Sequence, residues 1–194
     1  MKKLKRIAAL TLAAACAATV FAGAAFTDQN AIKVDSKVID TLTEKNVIKG
    51  FEDGSFQPDK AVTRAQMAKM LFVLRTGSDD ASYYAKEMTD TFKDTAGTWS
   101  NGYVKYCQAY GIVSGKSADE FDPDAAVTTA EAAKMLLVYA GCDVEKDGLT
   151  GAQWKENTMK LADEKGLLRD VDAKLDAGLP RQYAARMIFN AMEK

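Results

Sequence analysis

Histidine is absent from all 194 residues. That one absence removes Ser-His-Asp and Cys-His nucleophilic sites and every histidine-containing zinc site. Cysteine is nearly absent too, with Cys16, Cys107 and Cys142 as the whole complement. Too few to build a disulfide framework, Cys107 and Cys142 are expected as buried or free thiols, with Cys107 on an apolar helical face. Beyond residue 25 no apolar run is long enough to cross a membrane. Excess positive charge is missing as well. The leading segment holds 4 basic residues (Lys2, Lys3, Lys5, Arg6) and no acidic one, so the remainder carries 22 − 27 = −5. A mildly acidic chain lacks the electrostatic footprint of a nucleic-acid or anionic-lipid binder.

What leads the chain is a targeting pattern. A basic stretch, an apolar Ala-rich run from Ile7 to Phe21 and the small residues Ala22-Gly23-Ala24 predict a signal peptide over residues 1–24, and hence secretion. Alanine and threonine dilute the run too much for a membrane anchor. A lipoprotein reading of Cys16 meets Ala13 where such a signal has leucine.

The rest is repetitive. Asn46-Val47-Ile48-Lys49-Gly50, Asp53-Gly54 and Phe56-Gln57-Pro58-Asp59 read as a helix exit followed by tight turns, and Val62-Thr63-Arg64-Ala65-Gln66 opens a second helix. Thr63 with Gln66 forms a capping box, and Met67, Met70, Leu71 and Leu74 make one apolar face. The pattern returns in Phe92-Lys93-Asp94 (for Phe26-Thr27-Asp28), Gly111-Ile112-Val113-Ser114-Gly115, Phe121-Asp122-Pro123-Asp124 and Val127-Thr128-Thr129-Ala130-Glu131. A third, degenerate unit keeps Trp154, Gly166-Leu167-Leu168 and Leu179-Pro180-Arg181, with a shorter loop. Units over 25–77, 92–141 and 142–194, with a polar connector at 78–91, predict a mainly helical, all-α repeat protein. One helix pair cannot bury its apolar face alone, so the units are expected to share one core.

These motifs resemble the S-layer homology repeat: Phe-x-Asp, an aromatic opening helix one, Gly-Ile-Val-x-Gly, Asp-Gly-x-Phe-x-Pro, and Val-Thr-Arg-Ala-Glu opening helix two. The resemblance implies three helix-loop-helix repeats closed into a pseudo-threefold bundle. It implies a non-catalytic cell-surface module that binds pyruvylated secondary cell wall polysaccharide in grooves between repeats, and anchors the protein to the bacterial wall. The motif arginine would meet the ketal carboxylate. No cofactor or metal is implied, and surface proteins are the further partners such a module would recruit.

The residues themselves divide the motif. Capping boxes at Thr63/Gln66 and Thr128/Glu131 stabilise helices by on the order of 1 kcal/mol each with no ligand. Asp53, Asp59, Asp122 and Asp124 lack the alternation of a calcium loop and read as turn formers. Arg64 and Arg181 are different. A cation in a first helical turn opposes the macrodipole, and suits an anion held jointly by the guanidinium and free backbone N–H groups; an ordinary ion pair with a nearby aspartate is the alternative. Trp99 and Trp154 are either core aromatics or platforms for a sugar face. Asp28 and Asp94 either accept bonds from sugar hydroxyls or cap the following turn. The departures are Thr129 in place of the motif arginine, Gln66 in place of glutamate, and Val34 where Trp99 and Trp154 stand. They leave open a surface scaffold that no longer binds sugar. A wall hydrolase with paired carboxylates fits worse, because the acidic residues near the motifs sit in turns and caps.

Overall fold

The computed structural model describes residues 26–193; the expected signal peptide and Cys16 lie outside them. A 3-10 helix over Gln29–Ala31 precedes seven α-helices: α1 Ser36–Glu44, α2 Arg64–Thr76, α3 Ser82–Glu87, α4 Asn101–Ala109, α5 Thr129–Tyr139, α6 Trp154–Glu164 and α7 Arg181–Met192. Among the described residues there is no strand, only isolated bridges. The all-α expectation holds.

Local signals set the helix ends. Thr63 and Thr128 each accept the N–H of the residue three positions on, and Gln66 and Glu131 return the bond, so both capping boxes form. Asn46, Gly111 and Gly166 take φ of 57°, 68° and 62° at the exits of α1, α4 and α6, the left-handed turn that ends a helix. Pro180 is the N-cap of α7, with φ −60° and ψ 143°. Trp99 was expected to open a helix, but α4 starts at Asn101 and leaves Trp99 in the preceding turn.

The connector is more ordered than its polarity suggests. It contains α3, whose Tyr84 ring meets Phe72 edge-on at 5.7 Å and Tyr106 at 4.9 Å. Lys105 on α4 is buried and ties the segment down, bonding Ala85 O and pairing with Asp90, both at 2.9 Å.

One hydrophobic cluster takes side chains from all three helix pairs, including Val38, Ile39 and Leu42 of α1, Leu71 and Phe72 of α2, Leu136 of α5 and Met187 and Ile188 of α7. Helix α1 packs on α7, α2 on α4 and α5, and α5 on α6 and α7, so the last helix contacts both the first and the middle pair. The loop-to-helix corners also form a closed ring. Val127 N donates to Val62 O (2.9 Å), Val62 N to Leu179 O (3.0 Å), and Leu179 N to Val127 O (2.8 Å). At this ring a Cβ on Gly178 would stand 2.9 Å from Ala126 Cβ and 3.0 Å from Ala61 Cβ, so only glycine fits. Helix α2 therefore begins against the loop before α5, α5 against the loop before α7, and α7 against the loop before α2. That contact, here called a seam, is where the motif residues lie.

Candidate functional site

Arg64, Thr129 and Arg181 are the first residues of α2, α5 and α7. Their backbones dock before their side chains do. Arg64 N and Ala65 N donate to Ala125 O and Pro123 O at 2.9 and 3.0 Å; Arg181 N and Gln182 N donate to Lys60 O and Pro58 O at the same distances. The free N–H groups expected at these helix starts are thus taken by neighbouring loops, and only the guanidinium side chains are left to act on a ligand.

Arg64 is 3% exposed and fully engaged with the second unit. Its Nε donates to Phe121 O (2.9 Å), Nη2 to Ser114 O (2.8 Å), and Nη1 lies 3.4 Å from Glu131 Oε1, while the guanidinium stacks 4.5 Å over the Phe121 ring. Burial lowers its pKa, opposed by Glu131, Asp122 and Asp94. Burial alone would raise the Glu131 pKa; the Lys116 bond, the Thr128 N–H and Arg64 together hold it below the ordinary value. Arg64 has, in short, a complete set of protein partners.

Arg181 is 7% exposed and poorly provided. Its Nη2 donates to Lys49 O (2.7 Å), and it lies 5.2 Å over both Phe51 and Phe56. Nε is buried with no acceptor among the described residues, and no carboxylate there forms an ion pair with it. Burial, unopposed, pushes its pKa down to about 10. Thr129, fully buried, replaces a guanidinium at the remaining seam and donates to Lys174 O at 2.9 Å.

The other candidates separate. Asp28 accepts from Phe56 N and Gln57 N, both at 2.8 Å, and Asp94 from Phe121 N (3.0 Å) and Asp122 N (2.6 Å). These carboxylates brace the loops where Gln57 and Asp122 adopt positive φ of 55° and 61°. Trp99 is 57% exposed, 6.1 Å from the Tyr103 ring. Trp154 is half-buried beneath Lys134 Nζ (5.4 Å) and Lys155 Nζ (5.9 Å). The structure does not gather all six residues into one place; it distributes them over seams and loops.

Sequence reasoning missed a second cation. Five residues into each second helix stand Lys69, Lys134 and Arg186. Lys69 lies 5.1 Å over Tyr103 and pairs with Asp79 (2.8 Å), Lys134 covers Trp154, and Arg186 pairs with Asp170. Their common offset from the motif position was the available signal. Beside Val34 a cavity of about 580 Å³ opens, lined by Lys33, Val34, Asp35, Leu168, Asp170 and Arg186.

Comparison with known proteins agrees with these repeats. Residues 25–68 and 91–133 match the S-layer homology domain. The chain is 30% identical over 113 residues to a cellulosome-anchoring protein of Acetivibrio thermocellus, which covers 57% of this chain and 24% of that protein. It is 27% identical to the S-layer protein sap of Bacillus anthracis (83% of this chain, 20% of that protein). It is 26% identical to the middle cell wall protein of Brevibacillus brevis (97% and 18%). The chain thus spans about a quarter or less of the length of these relatives. Two S-layer homology repeats, residues 25–68 and 91–133, are therefore present in this chain.

Proposed function

We propose that the chain is a non-catalytic wall-binding module. In this reading α6 and α7 form a third, degenerate repeat, and the three units close pseudo-threefold around the ring of Val62, Val127 and Leu179. The module holds an acidic secondary wall polysaccharide, of the pyruvylated kind, at its seams and anchors the protein to the cell wall. The observation that carries the reading is Arg181: a buried guanidinium at a seam, without a carboxylate partner among the described residues, in a chain with two S-layer homology repeats. Trp99 and Trp154 supply apolar faces for sugar rings, and Asp28 and Asp94 keep the motif loops in shape.

The competing reading is a surface scaffold that makes protein contacts alone. It draws on Thr129, which places a carbonyl-bonded hydroxyl where the motif has a cation. Sedimentation of the purified protein with cell-wall sacculi, before and after extraction of the secondary polymer, separates the two. Binding that disappears with the polymer is expected; equal binding to extracted walls, or none to intact ones, would falsify the module reading.

A further inference from the structure

Helices α4 and α6 share a sequence frame, with Trp154 and Gly166 each 55 residues after Trp99 and Gly111 (154 − 99, 166 − 111). Their outer faces are treated differently. On α6, Asn157, Lys160 and Leu161 line an open cavity of about 370 Å³, and Lys160 is exposed. On α4 the same positions are Gly102, Lys105 and Tyr106 (157 − 102, 160 − 105, 161 − 106), and the connector lies over them. Lys105 is thereby only 5% exposed. Its burial comes from the connector, not from its place on the helix.

The connector is fitted for close approach. A Cβ on Gly102 would stand 2.2 Å from Ala81 O, so only glycine lets the two chains lie together. Carboxylates hold both ends. Asp79 bridges Lys49 (2.6 Å) and Lys69 (2.8 Å), and its backbone carbonyl accepts from the Tyr103 hydroxyl at 2.6 Å. Asp90 Oδ1 accepts from Asn101 Nδ2 (2.7 Å) and Lys105 Nζ (2.9 Å), and the same ammonium donates to Ala85 O. The Asp79 pairs are partly exposed, and such pairs are individually weak. Asp90 has a different task. Among the described residues it alone gives a carboxylate to a cation that the connector has taken out of water.

We propose that residues 78–91 form a charge-latched strap, which lifts from α4 as one piece while the other helices stay folded and is held down by the ionised Asp90. A six-residue helix has no stability of its own in water, so α3 is lost once it leaves its seat on Phe72 and Tyr106. Lifting also returns Lys105 to water, which favours opening whenever its anion is missing. What opens is an aromatic stripe. Trp99, Tyr103, Tyr106 and Tyr110 follow at i, i+4, i+7 and i+11 along one side of α4 and the turn before it. The two end rings are exposed, and the strap and Phe72 cover the middle two. The strap's behaviour does not depend on what the seams bind.

Amide hydrogen exchange reads the lifting at Ala85 and Met88, whose N–H groups bond Ala81 O and Tyr84 O within the strap. In the unaltered protein both should be at least tenfold less protected than the best protected amides of α5 and α7. Asp90→Asn keeps an oxygen for Asn101 and Lys105 and removes only the charge. It should lower strap protection at least tenfold more and leave α5 and α7 unchanged. In a Lys105→Met background the same substitution should change the strap less than threefold, because no buried cation is then left without its anion. Gly102→Ala dislodges the strap by contact, without touching a charge. It should leave Ala85 and Met88 unprotected while circular dichroism still shows the other helices. Strap amides as protected as those of α5 and α7 overturn the inference, as does an Asp90→Asn effect that is absent or equal in all helices. So does an equal Asp90→Asn effect with and without Lys105, or a protected strap in Gly102→Ala.

Discussion

The Arg64 seam and the Arg181 seam share a backbone frame and differ in what neutralises the cation. At the first, two carbonyls and a carboxylate surround the guanidinium. At the second, one carbonyl and two aromatic rings do so, with Nε left over. The lesson is that a repeated motif does not mean a repeated role. One arginine is a structural clasp between units, and the other is strained by burial. Neither state is decided by the arginine's own unit; both are decided by the unit it docks on.

The widest gap between the seams is expected in stability. Arg64→Met strips two carbonyls and one arm of a carboxylate of their donor, in a site with little access to water, and should cost about 2–4 kcal/mol. Arg181→Met removes a cation whose burial is barely compensated and should cost about 1 kcal/mol or less, because a flexible apolar chain packs against Phe51 and Phe56 at no charging penalty. Urea unfolding of both variants checks this. Equal losses would mean that Arg181 has partners as good as those of Arg64, and would dissolve the comparison.

A second test sharpens the frame rather than the difference. Asp28 and Asp94 hold equivalent loop N–H groups in the first and second units. Replacing either with alanine leaves two backbone donors without their acceptor at a positive-φ corner, and should cost about 1–3 kcal/mol in each case. Similar losses for the two variants would show that the seams rest on equally firm loops, so that what separates them lies in the side chains. A large loss in one alone would place the asymmetry in the backbone.

How much of this was legible follows from the range of the interactions. The capping boxes, the left-handed exits at Asn46, Gly111 and Gly166, and the apolar faces of α1 and α2 are local, and the sequence shows them directly. Helix α3 was not legible, because six residues hold a helix there only through Tyr84 packing on Phe72 and Tyr106. The partners of Arg64 were not legible either. They are carbonyls and a carboxylate 50 to 67 residues away in sequence, and main-chain oxygens leave no trace in residue identity. Gln66 could be read as a tolerable cap.

The smallest expected effect is a pH difference between two backbone N–H groups. Thr128 N donates to a carboxylate, Glu131 Oε2, and Thr63 N to an amide, Gln66 Oε1. Glu131 has its pKa held below the ordinary 4.5 despite burial, by Lys116, Thr128 N–H and Arg64. A carboxyl with a depressed folded-state pKa stabilises the fold above its unfolded value, and that contribution is lost as pH falls through the folded value. Gln66 does not titrate, so its seam carries no such loss. Below pH 4.5, hydrogen-exchange protection at Thr128 should therefore fall earlier than at Thr63. Glu131→Gln should bring the two N–H groups into step, because an uncharged amide then accepts at both boxes. If Thr63 and Thr128 lose protection together in the unaltered protein, acid is acting through the whole fold, and the charge at Glu131 does not set the Arg64 seam apart.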